Sequence, residues 1–415
     1  MATLAPSRPR RSARPASRRR EAILDIALDV LNTRGASSHL IDAVAARAGL
    51  DRASLYYYFR GRGELIFAAY RHSYLNLLAL AEAAEGDTAL QRAERLIRAV
   101  MLGSTPTASL SEIGLLDAEQ RAEIDALRAR LEAALAELLT AGAADGSMNP
   151  YPLPLAARAF EGALMLGTAW SLRTSVAREA AADHVAEIVL HGRLPLAAPF
   201  QPDFARPRPD VRDALIAASS DAARPLQRQD AMLITATRLM NQRGVNGMTL
   251  DDMVGALGIT KGAFYHYFES KDDLVFRCYT RSQVIVERYI ADVHEEGGSG
   301  LDMLQRASFH NFAMQVSPIG PLALFTGTGS LPAELRNLVT ARANVGTAAM
   351  REMAYRGIED GSCRRYPVIV GQRVFGGASA WLNTWWEEAR DLGIEAVAAA
   401  LIPFYTNGLA RRDGA

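Results

Sequence analysis

The chain has 415 residues, 49% hydrophobic and 22% charged, with 46 Lys+Arg against 46 Asp+Glu. That length exceeds one ordinary core and points to two or more domains, in a composition typical of soluble globular proteins. Two cysteines, Cys278 and Cys363, exclude a disulfide framework and a cysteine zinc site, and no apolar run approaches the roughly 18 residues of a membrane span.

In chain order, residues 1–20 carry seven arginines (Arg8, Arg10, Arg11, Arg14, Arg18, Arg19, Arg20) and no acid. No apolar core follows them, so they do not read as a secretory signal, and a reducing cytoplasm is the expected compartment. Residues 1–18 read as a basic disordered tail, either a solvated extension or an arm that follows phosphates and the minor groove.

A first helix is expected where Ile23, Ile26, Ala27, Val30 and Leu31 repeat at helical spacing, ending at Gly35 with Arg34 in its last turn. A second runs from about Leu40 to Arg47, with Ser38 as the available cap. A turn centres on Gly49, and a third, short helix starts at the cap Asp51 and ends in Tyr56-Tyr57-Tyr58-Phe59. A fourth begins near Arg62. The same plan returns 209 residues later. Met232, Thr235, Ala236, Leu239 and Met240 form the stripe, Gly244 the stop, and Thr249 with Asp252 the cap of the next helix. Gly258 makes the turn, Thr260 caps the short helix that ends in Tyr265-His266-Tyr267-Phe268, and Lys271 opens the fourth. Residues 20–65 and 229–274 align without a gap and share twelve identities, among them Asn32/Asn241, Asp42/Asp251 and Tyr56/Tyr265.

Behind each such unit the chain is rich in alanine and leucine and reads as helices. Arg121–Leu139 carries a helical stripe and stops before Gly142. A second internal match, at an offset of 215, lays Asp145-Gly-Ser-Met-Asn-Pro-Tyr-Pro152 over Asp360-Gly-Ser-Cys-Arg-Arg-Tyr-Pro367 and pairs Phe160 with Phe375, Gly162 with Gly377 and Trp170 with Trp385. Helices are expected after both loops, over Leu155–Val176 and Val368–Arg390. The chain is therefore read as two copies of one two-part protein. Its expected divisions are the tail (1–18), a first helix-turn-helix domain (19–74), a first helical domain (75–190), a semi-rigid Pro-rich linker (191–226), a second helix-turn-helix domain (227–282) and a second helical domain (283–410). A short helix is expected within the linker over Asp210–Asp221.

The pattern of stripe, glycine, cap, stripe, glycine, cap and aromatic cluster is that of a DNA reader, whose recognition helix presents its N-terminal residues to base edges and its flanking hydroxyls and cations to phosphates. The candidate DNA contacts are Asp51, Arg52, Ala53, Ser54, Tyr56, Tyr57 and Arg62 in the first copy. In the second they are Thr249, Thr260, Lys261, Gly262, Ala263, Tyr265, His266 and Lys271. Leu55, Phe59, Phe264 and Phe268 are expected in the core, and Tyr58 and Tyr267 stand between core and phosphate. Phe160, Met165, Trp170, Phe309, Phe312, Phe375, Trp381 and Trp385 are candidates to line a pocket for an apolar or acyl-type effector. The seven histidines show no metal spacing, and no phosphate loop or nucleophile elbow is found, so no metal, cofactor or enzymatic activity is expected.

At these residues the chain resembles the TetR/AcrR family of bacterial transcriptional regulators. Thr249, Gly258-Ile-Thr-Lys-Gly-Ala-Phe-Tyr-His-Tyr-Phe268 and Lys271-Asp-Asp-Leu274 match its signature closely. Ala45-Ala-Arg-Ala-Gly-Leu50 and Tyr56–Phe59 match it more loosely. The resemblance implies an all-α protein with N-terminal readers, a variable ligand domain, and pairing through two C-terminal helices; Ala380-Trp-Leu-Asn-Thr-Trp-Trp-Glu-Glu388 looks like the pairing segment of members that answer lipid-like or acyl thioester ligands. The expected activity is ligand-released repression from a double-stranded DNA operator, an imperfect palindrome because Asp51-Arg-Ala-Ser54 differs from Thr260-Lys-Gly-Ala263. Two readers in one chain favour an intramolecular pseudo-dimer over a homodimer. The alternatives are a first reader that serves only as scaffold, and a ligand-binding or interaction protein that no longer reads DNA.

Overall fold

The amphipathic stripes fold as helices. The computed structural model describes residues 13–36, 39–108, 113–171, 177–218, 228–317, 319–323, 331–384 and 391–414. Among these it has 17 α-helices and no strand. The first half contains α1 (Ala13–Arg34), α2 (Leu40–Arg47), α3 (Arg52–Tyr58), α4 (Arg62–Ala83), α5 (Ala89–Leu102), a 3-10 turn (Ile113–Leu115), α6 (Ala118–Ala144), α7 (Leu155–Ser171) and α8 (Arg178–His191). After α9 (Pro209–Ala218), the second half repeats the order as α10 (Arg228–Gly247), α11 (Leu250–Leu257), α12 (Lys261–Tyr267), α13 (Lys271–Glu296), α14 (Gly300–Val316), α15 (Ala333–Glu359), α16 (Val368–Thr384) and α17 (Ile394–Asn407).

Each reader closes over its own aromatic anchors. Ile23, Ala27, Val30, Leu31, Leu55 and Phe59 are buried in the first, and Met232, Ala236, Met240, Phe264 and Phe268 in the second. A fully buried Phe contributes about 1.5–3 kcal/mol, so such anchors matter to a three-helix unit of this size. Gly49 and Gly258 make the turns at φ +64 and +62, a left-handed backbone that a side chain would strain.

The helical domains are tied to the readers by the same two hydrogen bonds in both halves. Asn32 Nδ2 donates to Thr107 O (2.7 Å) and Asn241 Nδ2 to Leu322 O (2.8 Å). One residue further on, Ala108 N donates to Ser73 Oγ and Ala323 N to Ser282 Oγ, both at 2.9 Å. The repeated Asp-Gly-Ser loops explain themselves as well. Asp145 accepts from Ala89 N and Ser147 Oγ from Leu90 N; Asp360 accepts from Gly300 N and Ser362 Oγ from Leu301 N. Each loop thus satisfies free N–H groups at the start of α5 or α14.

The two halves meet where α7 packs on α16, at Gly162 and Gly377. A Cβ on Gly162 would lie 2.9 Å from the Gly377 carbonyl carbon, closer still to its oxygen, and 3.2 Å from Ala378 Cα. The segments after α8 and α17 clip reciprocally onto the other half. Arg193 N and Leu194 N donate to Thr406 O, while Leu409 N donates to Val189 O and Ala410 N to Leu190 O. Asn149 Nδ2 donates to Gly408 O and Ala410 O, and Arg364 pairs with Glu187. The 3-10 turn of the first half lies on the second reader, with Gly114 against Arg243 and Leu115 against Gly247.

Some expectations change. α1 starts at Ala13, so Arg18, expected in the tail of 1–18, lies on the same helix as Arg19 and Arg20; Pro15 falls in the first turn, where a missing N–H costs nothing. Residues 1–12 lie outside the described part. The expected semi-rigid linker, 191–226, is described over 191–218, where it is hydrogen-bonded to both halves. Arg412 donates to the carbonyls of His191, Leu194, Pro195 and Ala198, Gln201 and Asn407 exchange two hydrogen bonds, and Ala205 N donates to Gln305. Its helix is described over Pro209–Ala218, the rest of the expected Asp210–Asp221 lying outside the described residues. The helix expected to stop before Gly142 continues to Ala144, because Gly142 makes room for Met148. The expected helices over 155–176 and 368–390 are described to Ser171 and Thr384, the remainders lying outside the described residues.

Candidate nucleic-acid interface and ligand cavity

In both readers the short third helix is locked at its start and bare on one face. Asp51 accepts from Ser54 N (2.6 Å) and Thr260 Oγ1 from Ala263 N (3.1 Å). The Ser54 contacts, backbone N–H first, hold the Asp51 carboxyl below its ordinary range. Tyr57 is 85% exposed and Tyr265 58%; Tyr56, His266, Ala53 and Gly262 are exposed too, and Ser54 and Ala263 half-buried. Each of these rings keeps one contact within its reader, Tyr56 with Arg52, Tyr57 with Tyr58, Tyr265 with Phe264 and His266 with Tyr267, and leaves its other face open to a partner. Leu55, Phe59, Phe264 and Phe268 are at most 1% exposed, and Tyr58 and Tyr267 are half-buried.

The cation after each cap is held by the second helix of its reader. Arg52 lies 3.4 Å from Asp42, and Lys261 2.7 Å from Asp251. Tyr56 and then Asp42 raise the Arg52 pKa, and Asp251 raises that of Lys261. These pairs are solvent-exposed, and water competes for both partners. A phosphate can therefore take over either cation without breaking the reader, and the pairing keeps both side chains oriented along the helix until then.

The remaining candidates serve the scaffold as well. Thr249 caps α11, its hydroxyl and N–H both donating to Asp252, while Asp252 N donates back to the hydroxyl. The hydroxyl contact, then that N–H, lowers the Asp252 pKa. The expected cap of α2, Ser38, lies outside the described residues, and His39 at the cap position makes no side-chain cap bond. Lys271 donates its ammonium to Met248 O, spanning the end of α10 and the start of α13. Arg62 is half-buried in the first turn of α4.

The aromatic candidates divide. Phe312 and Phe375 line a cavity of about 200 Å³ in the second half, together with Arg193, Tyr289, Tyr366, Gln372, Ser379 and Tyr405. Phe160 and Phe309 are fully buried in the core instead, Phe309 beside Phe204 of the 191–226 segment. Met165 is half-buried against that core, and its carbonyl accepts from the Thr107 hydroxyl. The side chains of Trp170 and Trp381, and Trp385 altogether, lie outside the described residues. In the first half the position of Gly376 holds Glu161, bonded by the Tyr74 hydroxyl at 3.1 Å and beside Arg128, Glu132 and Arg158. Burial, then the Glu132 charge, pushes Glu161 up to about 8.

Arg193 and the Asn–Ser ties escaped sequence reasoning. Asn32/Asn241 stood among the identities, and the same 209-residue offset carried eight residues further pairs Ser73 with Ser282. Arg193 had no sequence signal, because its place in the second cavity depends on the segment after α8 crossing to the other half.

Comparison with known proteins agrees with this geometry. The tetR family of bacterial regulatory proteins matches residues 23–69 and again 233–278, and the tetracyclin repressor-like C-terminal domain matches 88–193. The transposon Tn10 TetC protein of Escherichia coli is 32% identical over 60 residues, 14% of this chain and 30% of that protein; the chain thus spans under a third of this relative's length. Among solved structures, the TetR family transcriptional regulator PfmR from Thermus thermophilus is 24% identical over 43% of this chain and 99% of its own, at a TM-score of 0.37. AibR in complex with isovaleryl coenzyme A and operator DNA is 22% identical over 43% and 100%, at 0.38. FadR from Bacillus subtilis in complex with stearoyl-CoA is 15% identical over 43% and 97%, at 0.35. At the helices just described the chain thus carries the helix-turn-helix unit of the tetR family of bacterial regulatory proteins twice, with a tetracyclin repressor-like C-terminal domain behind the first.

Proposed function

We propose that this protein is a one-component transcriptional repressor of the cytoplasm whose two readers act as an intramolecular pair on an imperfectly palindromic operator. The observation that carries the reading is the pair of bare recognition faces, Arg52/Tyr56/Tyr57 and Lys261/Tyr265/His266, on halves of one chain joined at Gly162 and Gly377. Readers docking in successive major grooves stand about 34–36 Å apart. A tether raises the effective concentration of one reader for the other above any plausible free concentration. The effector is a small molecule in the helical domains. It releases DNA by binding better to a conformation with the wrong reader spacing, and the Asn32–Thr107 and Asn241–Leu322 ties carry that change to the readers.

A second reading, the first reader as scaffold only, is favoured by one observation: among the described residues α2 has no side-chain cap of the kind Thr249 gives α11. Selection of bound sequences from random duplexes, with the mass of the complex measured alongside, separates the two. One chain per site over two unlike half-sites supports the pseudo-dimer. One half-site per chain supports the scaffold reading, two chains per site remove intramolecular pairing, and no enrichment of any sequence overturns the regulator.

A further inference from the structure

The cavity in the second half carries a buried positive charge with no carboxylate opposite it among the described residues. Arg193 is 5% exposed. Its guanidinium lies 3.8 Å from the centroid of the Phe375 ring and beside the Tyr366 hydroxyl, but it makes no ion pair among the described residues, and its Nε has no hydrogen-bond partner among them. The Tyr405 hydroxyl, on a residue 3% exposed and lining the same space, also makes no hydrogen bond of ordinary geometry among the described residues, although Ser379 lies near enough to lower its pKa. Arg351 lines the cavity as a second cation, and none of the described residues lining it is a carboxylate. A buried charge without a counter-ion is strongly unfavourable, so a fold that keeps one in a cavity holds a place for an anion.

The counterpart place in the first half is built the other way. The hydrogen bonds of the two clipped segments match Leu194 N to Thr406 O with Ala410 N to Leu190 O, which puts Leu409 where Arg193 stands. Likewise Glu161 occupies the position of Gly376. The second half has thus exchanged an aliphatic side chain for a cation and a carboxyl for open space.

We propose that this cavity binds a compact monocarboxylate, with Arg193, a residue of the segment joining the halves, as the anchor of its carboxylate. The volume sets the body of the ligand. A dry cavity of about 150 Å³ accepts benzene, so about 200 Å³ takes one aromatic ring, or a short branched chain, plus a carboxylate. Phe312 and Phe375 supply the apolar wall, and the Tyr405 hydroxyl donates to the second carboxylate oxygen. The inference rests on the regulator reading only in naming this ligand as its effector; the binding itself stands without DNA.

The test uses the full chain and benzoate as probe, with benzamide as its neutral analogue and chloride as the ionic control, read by calorimetry and by the thermal unfolding midpoint. Benzoate is expected to bind saturably and raise the midpoint, and benzamide at least tenfold more weakly. Arg193→Met, which keeps the stem against Phe375, is expected to fold at least as stably without ligand and to bind benzoate at least tenfold more weakly. Gly376→Glu, which installs the first-half residue, is expected to abolish binding. No benzoate binding by the parent chain, equal binding of benzamide, or undiminished binding by both variants overturns the proposal. Operator binding is measured on the same samples. Intact DNA binding without a benzoate response removes this inference alone, and a benzoate response without DNA binding removes the regulator reading alone.

Discussion

Gly162→Ala tests the junction of the halves most directly, because the two effects of the added methyl group oppose each other. In an ordinary helix the change is stabilising by about 1 kcal/mol through backbone entropy. At Gly162 the new Cβ falls 2.9 Å from the Gly377 carbonyl carbon and 3.2 Å from Ala378 Cα. Both are backbone atoms that no rotamer change can move, so α7 and α16 must separate by several tenths of an ångström along their contact. Overpacking of this kind costs about 1–3 kcal/mol, to which the loosened dispersion contacts along both helices add. The net is a loss of about 1–2 kcal/mol, a fall of several degrees in the unfolding midpoint at about 2–4 °C per kcal/mol. Gly255→Ala is the matched control: Gly255 sits inside α11 with nothing within 4 Å of its added Cβ, and it is expected to leave the midpoint unchanged or raise it. Circular dichroism melts of both variants decide the matter. A rise for Gly162→Ala equal to that for Gly255→Ala refutes the close crossing.

Three further expectations concern the readers and the first-half cluster. Thr249→Ala removes a capping box and is expected to cost about 1 kcal/mol, whereas His39→Ala, at a cap without a side-chain bond, stays within about 0.5 kcal/mol; urea unfolding of the two variants checks the contrast. Arg52→Ala and Lys261→Ala are each expected to reduce the slope of log K against log salt for the selected operator by about one, and an unchanged slope in either variant takes that reader off the DNA. Glu161, pushed up to about 8 by burial, stays protonated in the fold while the unfolded chain ionises near its ordinary value. The unfolded state thus binds fewer protons between about pH 4.5 and 8, and stability falls as pH rises through that window. Glu161→Gln is expected to lose that slope, so its midpoint relative to the parent rises from pH 5 to pH 8; parallel curves contradict a neutral buried carboxyl.

The readers were legible because their signals are local. The 3.6-residue stripe, Asp51 and Thr260 at the caps, and the turn glycines each act within a few residues, and the structure has all of them in both copies. The same local logic does not reach the contacts of the segment after α8. Its prolines read as a spacer because each denies a local N–H donor. The carbonyls of Pro195 and Ala198 find their partner in Arg412, more than 200 residues later. Gly142 misled for a related reason. A glycine near the end of a stripe reads as a stop, but Met148 folds back onto it and needs the missing side chain. The ligand candidates divided along the same line. Aromatic spacing identifies rings that face inward, and only the packing of Arg193 against Phe375 separates rings that line space from rings that fill it.

The crossing at Gly162 and Gly377 also changes how the protein can vary. Where two identical chains meet on an axis, one codon change alters both sides of the contact at once, and any size increase is felt twice. Here each side is encoded separately. A larger residue at 162 can be answered by a shift near 377, and the two recognition helices and the interiors of the two halves can drift independently while the junction is kept. The contrasts Arg193/Leu409 and Gly376/Glu161 are substitutions of that kind, open to a lineage that fused its two copies and closed to one that pairs them by symmetry.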